Sequence, residues 1–289
     1  MLELLQYALT GVATGATYAL VGLGIALIVQ VTGVINFAQG DFVMLGALIY
    51  ALLAERVGHL FAAALAVGVV VCVGAVTNLA VIRPARRAST DRLIILTIGA
   101  SIVIQGVTLV LAGTDPRFAD SFTAGGPVRI GGASLPLQYL WVSGVTAIAV
   151  LAVWLFLTRT RHGIAMRATA MDAEAARLVG ISPHRMSLAV FMLAAALGAV
   201  GGVVLAPLQP PSPQVGLALG LRGFTAAVVG GLDNPAGAVA GGLGLGVAEA
   251  LAGGYVSTGF AEGLAYIMLV AALLARPTGL LQAVSVGRV

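Results

Sequence analysis

Nine apolar stretches follow one another along this 289-residue chain. A helix of about 20 apolar residues crosses the apolar core of a bilayer, so each stretch predicts a spanning or re-entrant helix. The composition agrees, because 60% of the residues are hydrophobic and only 9% are charged, against about 25% in soluble domains. We therefore predict an all-α polytopic membrane protein with eight or nine transmembrane or re-entrant helices in one domain, 1–289. The predicted spans are 5–29, 35–53, 60–82, 93–112, 137–157, 185–205, 217–232, 236–252 and 260–275.

Glycine marks two of the predicted spans and many of the predicted helix contacts. The seventh and eighth spans are short and rich in glycine, and we expect them to be broken, tilted or re-entrant. Asn234 and Pro235 are typical of the N-cap and first helical position of the eighth span. Small residues four positions apart allow helices to approach closely in lipid. Packing alone explains any one of these pairs, which are Gly11 with Gly15, Gly198 with Gly202, Gly237 with Gly241, and Gly242 with Gly246.

The arginine residues predict the orientation, because cytoplasmic loops of membrane proteins carry an excess of basic residues. Two predicted spans separate two basic loops, so both loops lie on one side, which we assign to the cytoplasm. The N-terminus then lies in the periplasm and the C-terminus, with Arg276 and Arg288, in the cytoplasm. Membrane orientation explains the basic residues better than a nucleic-acid partner does. The basic residues of the two loops are Arg83, Arg86, Arg87 and Arg92, and Arg159, Arg161, Arg167, Arg177 and Arg185.

A polar and charged segment, about 158–184, separates the fifth and sixth predicted spans. Within it we predict a short helix over about 170–179. Thr169 and Asp172 resemble a capping box at its start, and Gly180 suits a left-handed C-cap at its end. Ser182 and Pro183 are then typical of the N-cap and first position of the next helix.

The surface of this short helix is suited to contact another protein. Ala175 and Ala176 leave the surface low enough to enter a groove, while Glu174 and Arg177 lie three residues apart on one face and offer polar contacts. The alternative is an ordinary connector helix at the membrane surface. Spacing alone does not choose between the two interpretations.

Two polar, glycine-containing breaks interrupt the apolar pattern. Lipid cannot satisfy polar side chains, so those near membrane depth face protein or water. Each break therefore either lines or gates a translocation route, or is a plain turn between helices. For the first break, the plain turn would be cytoplasmic and near the inner surface. The second break is expected to be a pseudo-symmetric counterpart of the first. The first break contains Asn36, Phe37, Gln39, Gly40 and Asp41, and the second contains Gly230, Gly231 and Asn234.

A few further residues bear on chemistry. Glu249 and Glu262 fall inside or beside apolar spans, where a charge is costly. Arg222 is the nearest basic residue in the sequence, so we expect structural pairing or a place at an interface rather than a proton relay. Cys72 is the single cysteine and lies in an apolar run, so we expect it to be buried. No Cys and His residues have the spacing of metal ligands, and no metal site is predicted.

Three segments carry a family resemblance over nearly the whole chain. The Glu-Ala-Ala sequence at 174–176, with Gly180, resembles the cytoplasmic EAA loop of bacterial ABC importer permeases. Residues 33–41 (GVINFAQGD) are similar to the N-terminal signature of branched-chain amino-acid permeases. Residues 223–231 (GFTAAVVGG), followed by Asn234 and Pro235, are similar to their C-terminal signature. The chain resembles the H-type half of the permease pair.

The resemblance implies a permease subunit of an ATP-driven importer in the bacterial inner membrane. Its partners would be the lipid bilayer, a second (M-type) permease, two ABC ATPase subunits and a periplasmic substrate-binding protein. The chain has no P-loop, so it is not expected to be an enzyme, and the partner ATPases would bind ATP and Mg²⁺. The family's coupling helix, which sits in a cleft of the ATPase, corresponds here to the segment with Asp172, Glu174, Ala175, Ala176, Arg177 and Gly180.

The resemblance leaves the cargo open. Branched-chain or related small amino acids are expected, and the same machinery could carry urea, short amides or aromatic acids. A protein of another class, an ion-coupled secondary transporter, would instead depend on Asp41, Glu249 or Glu262 and would need no ATPase. The EAA-like segment argues against that alternative.

Overall fold

The computed structural model describes residues 2–85, 88–113, 118–123, 125–130 and 132–275. Eleven α-helices make up most of this part of the chain, which confirms the all-α prediction. The helices of the first half are α1 Leu2–Thr32, α2 Gln39–Val57, α3 His59–Thr77, α4 Thr90–Ala112 and α5 Leu137–Arg159. Those of the second half are α6 Arg161–Met171, α7 Ala173–Leu178, α8 Pro183–Leu205, α9 Val215–Gly230, α10 Pro235–Tyr255 and α11 Thr258–Ala275.

Two shorter elements complete the description. A π-helical turn, Asn78–Ile82, prolongs α3, so that helix and turn together form one long span. A hairpin of β1 Val128–Ile130 and β2 Ala133–Leu135 precedes α5 and was not predicted. Four arginines used to predict the orientation lie outside the described residues, as does the end of the predicted domain; these arginines are Arg86, Arg87, Arg276 and Arg288.

Each of the nine predicted spans corresponds to a helix. Seven helices are long and apolar enough to cross a membrane, namely α1, α3 with its π-helical turn, α4, α5, α8, α10 and α11. The remaining two are α9, which has only 16 residues, and α2, which has 19 and includes Asp41, Glu55 and Arg56. The prediction that the eighth span is short was wrong, because α10 continues to Tyr255 and has 21 residues.

Small residues hold the central helices together. Gly11 and Gly15 of α1 lie directly against Gly242 and Gly246 of α10. On α8, Gly198 and Gly202 meet the first turns of α2 in the same way. A Cβ added at any of these glycines would overlap atoms of the facing helix. Without a hydrophobic force between helices in lipid, this close approach supplies the packing.

The outer helices differ from the central ones because most of their apolar side chains are exposed on the surface of the bundle. In the spanning part of α1, 83% of the residues are buried, against 6% in α11. Cys72 on α3 is exposed, so the prediction of burial was wrong. In a membrane protein an apolar run can face lipid as readily as protein, and hydrophobicity alone does not predict burial.

Candidate functional site

The helix α6 runs along the core after α5 ends. Thr160 caps it, and its Oγ1 accepts a hydrogen bond from Gly163 N at 3.0 Å. Met166 and Thr169 turn inward and are buried, and Met166 packs in the same apolar cluster as Leu27 of α1. One face of α6 is therefore fixed to the end of the bundle at which α1 finishes.

The helix α7 is separate from α6 and has defined ends. Asp172 Oδ1 accepts hydrogen bonds from the backbone N–H groups two and three residues later, at 2.8 and 3.0 Å. At the other end Gly180 has a φ of +83°, as predicted, and Ile181 N donates to the Ala176 carbonyl at 2.9 Å. This is the Schellman ending of a helix, which leaves few end carbonyls without partners.

The predicted start of the short helix was wrong. Residues as far as Met171 belong to α6, and the Thr169 hydroxyl donates to the Ala165 carbonyl at 2.9 Å instead of capping a new helix. A threonine hydroxyl can donate a hydrogen bond to a backbone carbonyl of its own helix, whereas an ionised aspartate can only accept hydrogen bonds. The chain therefore divides at Asp172.

The structure turns most of α7 outward. Glu174, Ala175 and Arg177 are exposed, as the docking interpretation requires. Ala176 is 3% exposed and faces the protein's own core, so its predicted place on the outer surface was wrong. Residues three and four apart share a helix face, and Ala176 lies on the face opposite to the exposed charges.

Sequence reasoning missed an apolar group beside these charges. Leu178 is 89% exposed, and Met171 and Val179 are 82% and 75% exposed. Exposed apolar side chains grouped next to a polar rim mark surfaces that bind other proteins. Large apolar residues in an otherwise polar segment were the available signal.

The first break, between α1 and α2, lies at the middle of the bundle. Gln39 Nε2 donates to the Ala194 carbonyl at 2.8 Å. Ala194 is the central residue of α8, with eleven helical residues on each side, or about 16 Å. The interpretation of the break as a turn near the inner surface was therefore wrong. After Thr32 the chain returns through the non-helical segment 33–38 and begins α2 at mid-depth.

The polar side chains of this break are fully buried. Asn36, Gln39 and Asp41 each have 0% exposure. Asn36 Oδ1 accepts from Ala38 N at 3.2 Å, and Asp41 Oδ1 accepts from Gln105 Nε2 at 2.9 Å. Among the described residues, Asn36 Nδ2, Gln39 Oε1 and Asp41 Oδ2 have no hydrogen-bond partner. Such atoms are few in folded proteins and each is costly, so three in one short segment indicate more than packing.

A polar stripe on α4, which sequence reasoning missed, covers the first break. Thr97 Oγ1 accepts from Phe37 N at 3.4 Å. Its one hydrogen is shared between the Ile94 carbonyl of its own helix at 2.9 Å and the Ile35 carbonyl at 3.2 Å. Ser101 and Gln105 continue the stripe one and two turns later, and Gln105 Nε2 donates to Ser101 Oγ at 3.0 Å. Polar residues repeated every four positions in an apolar helix were the signal.

Helix α9 begins beside the first break and ends at the second. A Cβ on Gly40 would overlap the Gly216 carbonyl oxygen, so the two backbones touch. The ring centroids of Phe37 and Phe224 are 5.4 Å apart. Gly230 lies fourteen positions after Gly216 along the helix, about 21 Å away. The structure therefore does not bring the two breaks into one site.

The second break is a compact turn. Gly231 has a φ of +108°, a conformation that glycine adopts without strain. Asn234 Oδ1 accepts from Gly237 N at 3.1 Å, which confirms the predicted cap before Pro235. Gly230 and Gly237 meet backbone to backbone.

The predicted pairing of Glu249 is confirmed. Its Oε1 lies 3.4 Å from Arg222 Nε, and its Oε2 accepts from the Tyr18 hydroxyl at 2.7 Å. The Arg222 guanidinium also lies 5.8 Å from the centre of the Tyr18 ring. This cluster ties α9 and α10 to α1. Glu262 is exposed on α11.

The sequence matches a known family over most of its length. The family described as the permease component of the branched-chain amino acid transport system matches residues 7–273. The chain belongs to this permease family. The resemblance inferred from the three sequence segments is thereby confirmed.

Individual relatives agree with the family. The high-affinity branched-chain amino acid transport system permease protein LivH of Escherichia coli is 34% identical, over 97% of this chain and 96% of its own. BraD of Pseudomonas aeruginosa, which has the same description, is 32% identical over 96% and 95% of the two chains. The PsaBC structure from Streptococcus pneumoniae, solved with a Fab, matches 93% of this permease and 91% of its own chain with a TM-score of 0.50 and 14% identity, which shows a shared fold.

Proposed function

We propose that this permease is the membrane subunit of an ATP-driven importer for branched-chain or related small amino acids. A periplasmic binding protein would deliver the cargo, an M-type permease would complete the pore, and two ABC ATPase subunits would bind ATP and Mg²⁺. LivH and BraD are permeases of branched-chain amino acid transport systems, which supports this cargo class. The proposed location is the bacterial inner membrane, with the N-terminus in the periplasm and the C-terminus in the cytoplasm.

The observation that carries this proposal is the construction of α7. It is a six-residue helix with a capped start and a Schellman end, held outside the spanning helices, with Ala176 as its inward anchor. Its outward side combines Glu174 and Arg177 with the exposed apolar side chain of Leu178. A short, capped helix that projects from the protein in this way can bind in a cleft of a partner protein, which we propose is the ATPase subunit.

The fold offers a path by which movement of α7 would reach the first break. Only the short segment 179–182 separates α7 from α8. Helix α8 contacts the start of α2 through the hydrogen bond from Gln39 to Ala194 and through Gly198, which lies against Phe42. A shift of α8 that follows ATPase closure would therefore disturb the first break directly.

We propose that the first break lies on the translocation route. Its buried polar atoms without partners would gain partners when the route opens to water or cargo. The residues assigned to it are Asn36, Phe37, Gln39, Gly40 and Asp41. A gating role for Gly230, Gly231 and Asn234 stays a prediction.

The coupling proposal is tested with Glu174→Arg and Leu178→Glu in the complete importer. We expect both variants to insert in the membrane but to recover less ATPase on purification, and to lower ATP-driven leucine uptake by at least about tenfold, which is about 1.4 kcal/mol of coupling. Glu55→Arg is the matched control, because Glu55 is also exposed on a helix end but lies at the opposite end of α2 from the first break. It is expected to leave both measurements unchanged.

Two outcomes would count against the proposal. Unchanged ATPase recovery and uptake in both α7 variants would remove the docking role. Uptake by the purified chain alone, in liposomes without ATP, would favour the ion-coupled secondary transporter. Uptake of urea or an aromatic acid in place of leucine would change only the cargo.

A further inference from the structure

A small cavity lies between the middle of α1, the start of α5 and the end of α8. Its volume is about 160 Å³. Its polar wall consists of Thr14, Thr17, Tyr18, Tyr139 and Gln209. Gln209 is exposed and belongs to the proline-rich segment 206–214 between α8 and α9, so this side chain lies at the mouth. The predicted orientation places the start of α5 and the end of α8 on the periplasmic side.

Thr17 is the residue that distinguishes this cavity from a packing defect. It is 1% exposed, and its hydroxyl has no hydrogen-bond partner among the described residues. Helical threonines usually satisfy the hydroxyl with the carbonyl four residues earlier. Other threonines of this chain do so, namely Thr14, Thr32, Thr77, Thr108, Thr158, Thr160, Thr169 and Thr225. Thr17 lines the cavity, and its hydroxyl has no partner among the described residues.

The size and charge of the cavity define the class of ligand. A water molecule occupies about 30 Å³, and sites for drug-sized ligands have about 300–1,000 Å³. A volume of about 160 Å³ suits a solute the size of a single amino acid. The rest of the lining is aliphatic and includes Leu205, Leu208 and Leu219. None of the described residues that line the cavity is charged.

The cavity adjoins a second one that lies closer to the first break. Leu205, Gln209 and Leu219 also line a second, much smaller cavity of about 10 Å³. Val43 and Val215 also line that smaller cavity. Val215 precedes Gly216, whose backbone touches Gly40. Leu219 therefore lies between the outer cavity and the residues next to the first break.

We propose that the outer cavity is a transient site for one small aliphatic α-amino acid on its way to the first break. The ammonium and carboxylate groups would lie at Thr14, Thr17 and Gln209, and the side chain would lie against Leu208 and Leu219. The inference rests on the proposed importer function and assigns it a specific site.

Uncharged recognition groups suit a site of passage. A transported solute must be bound well enough to enter and weakly enough to leave. Hydroxyl and amide groups each contribute modestly, whereas a buried opposite charge would hold a zwitterion tightly. The nearby charges of Arg222 and Glu249 are paired with each other, and so they do not compete for the cargo.

The test uses one introduced cysteine in the complete importer in detergent. Cys72→Ser removes the single native cysteine, and Thr14→Cys places a thiol in the cavity wall. We expect L-leucine to slow modification of this thiol by a small cationic methanethiosulfonate at least about threefold, the protection expected when leucine occupies most of the sites. Thr10→Cys is the matched control, one turn earlier on α1 and also half-buried. Leucine is expected to leave its rate unchanged.

A second variant tests the contact itself. Thr17→Val keeps the shape and removes the hydroxyl, so the leucine concentration for half-protection should rise about three- to tenfold, the range expected for one hydrogen bond. Thr77→Val, at a buried threonine already bonded to Val73, should not change it. Equal protection by leucine in Thr14→Cys and Thr10→Cys, or no change in Thr17→Val, would overturn the inference. An importer that still takes up leucine with ATP would show that the proposed function survives that failure.

Discussion

The two helix breaks of this permease look alike in sequence and differ in structure. Both combine glycine with Asn and Asp and precede a glycine-containing helix. In the first, Asn36, Gln39 and Asp41 are fully buried and each has an atom without a partner among the described residues. In the second, Asn234 caps the next helix, and Asp233 is exposed.

The two turns therefore differ in whether the buried polar atoms of their side chains have hydrogen-bond partners. The second break needs nothing beyond itself, because its cap and its glycine contacts account for its conformation. The first break keeps unsatisfied polar groups at the depth of the middle of α8, where they are most costly. Structural costs of this kind persist where function uses them, and this contrast is the reason for assigning the translocation route to the first break.

The largest expected effect concerns the feature that the two breaks share. Gly40→Ala and Gly230→Ala each place a Cβ against facing backbone atoms that cannot move as a side chain would. We expect each to lower the free energy of unfolding by about 1–3 kcal/mol, the usual cost of overpacking. The measurement is thermal unfolding of the purified importer in detergent.

Gly68→Ala on α3 is the control for these variants. A Cβ at Gly68 meets nothing within 4 Å, and alanine is favoured over glycine inside a helix by about 0.5–1 kcal/mol. Its stability should therefore stay the same or rise slightly. If Gly40→Ala were as stable as Gly68→Ala, the contact between α2 and α9 would be looser than described.

The next effect separates the breaks by their acidic residues. Asp41→Asn removes a buried acid while its Oδ1 can still accept from Gln105. We expect ATP-driven leucine uptake to fall about tenfold, or about 1.4 kcal/mol, while thermal stability is kept or raised, since a buried acid is costly. Asp233→Asn, at the exposed acid of the second break, should leave both unchanged.

Opposite signs for transport and stability are the informative part of this experiment. A merely structural Asp41 would lose stability and transport together, and uptake equal to that of Asp233→Asn would remove Asp41 from the route. A joint loss of stability and transport would make the first break a structural turn like the second.

The sequence was sufficient to predict features that depend on local chemistry. Apolar length predicted nine helices, Gly180 predicted a left-handed helix end, and the pair Asn234 and Pro235 predicted a helix start. Glu249 was predicted to pair with Arg222 because few charges are available in apolar spans. Each of these follows from properties of a residue and its near neighbours.

The sequence could not predict how deep in the helix bundle a segment lies or whether a side chain faces protein or its surroundings. The first break lies at mid-depth because α1 extends to Thr32 before the chain returns, and no local pattern measures that return. Ala176 and Cys72 were misassigned for a related reason. Alanine is compatible with either face of α7, and an apolar residue in a membrane helix can face lipid or protein equally well.

The smallest effect distinguishes the two asparagines. Asn234→Ala removes a helix cap and should lower the free energy of unfolding by about 1 kcal/mol, with Asn234→Asp restoring most of it. Asn36→Ala also loses one hydrogen bond, from Ala38 N, but it removes the unpartnered Nδ2 as well, so the net change in stability should be smaller.

Uptake should rank these two variants in the reverse order. Asn36→Ala is expected to impair leucine uptake although the protein stays stable, since it alters the polar surface of the proposed route. Asn234→Ala should transport normally once its lower stability is allowed for by assaying at reduced temperature. Impaired uptake in Asn234→Ala at that temperature would instead support the predicted gating role of the second break, and the two breaks would then act as a symmetric pair.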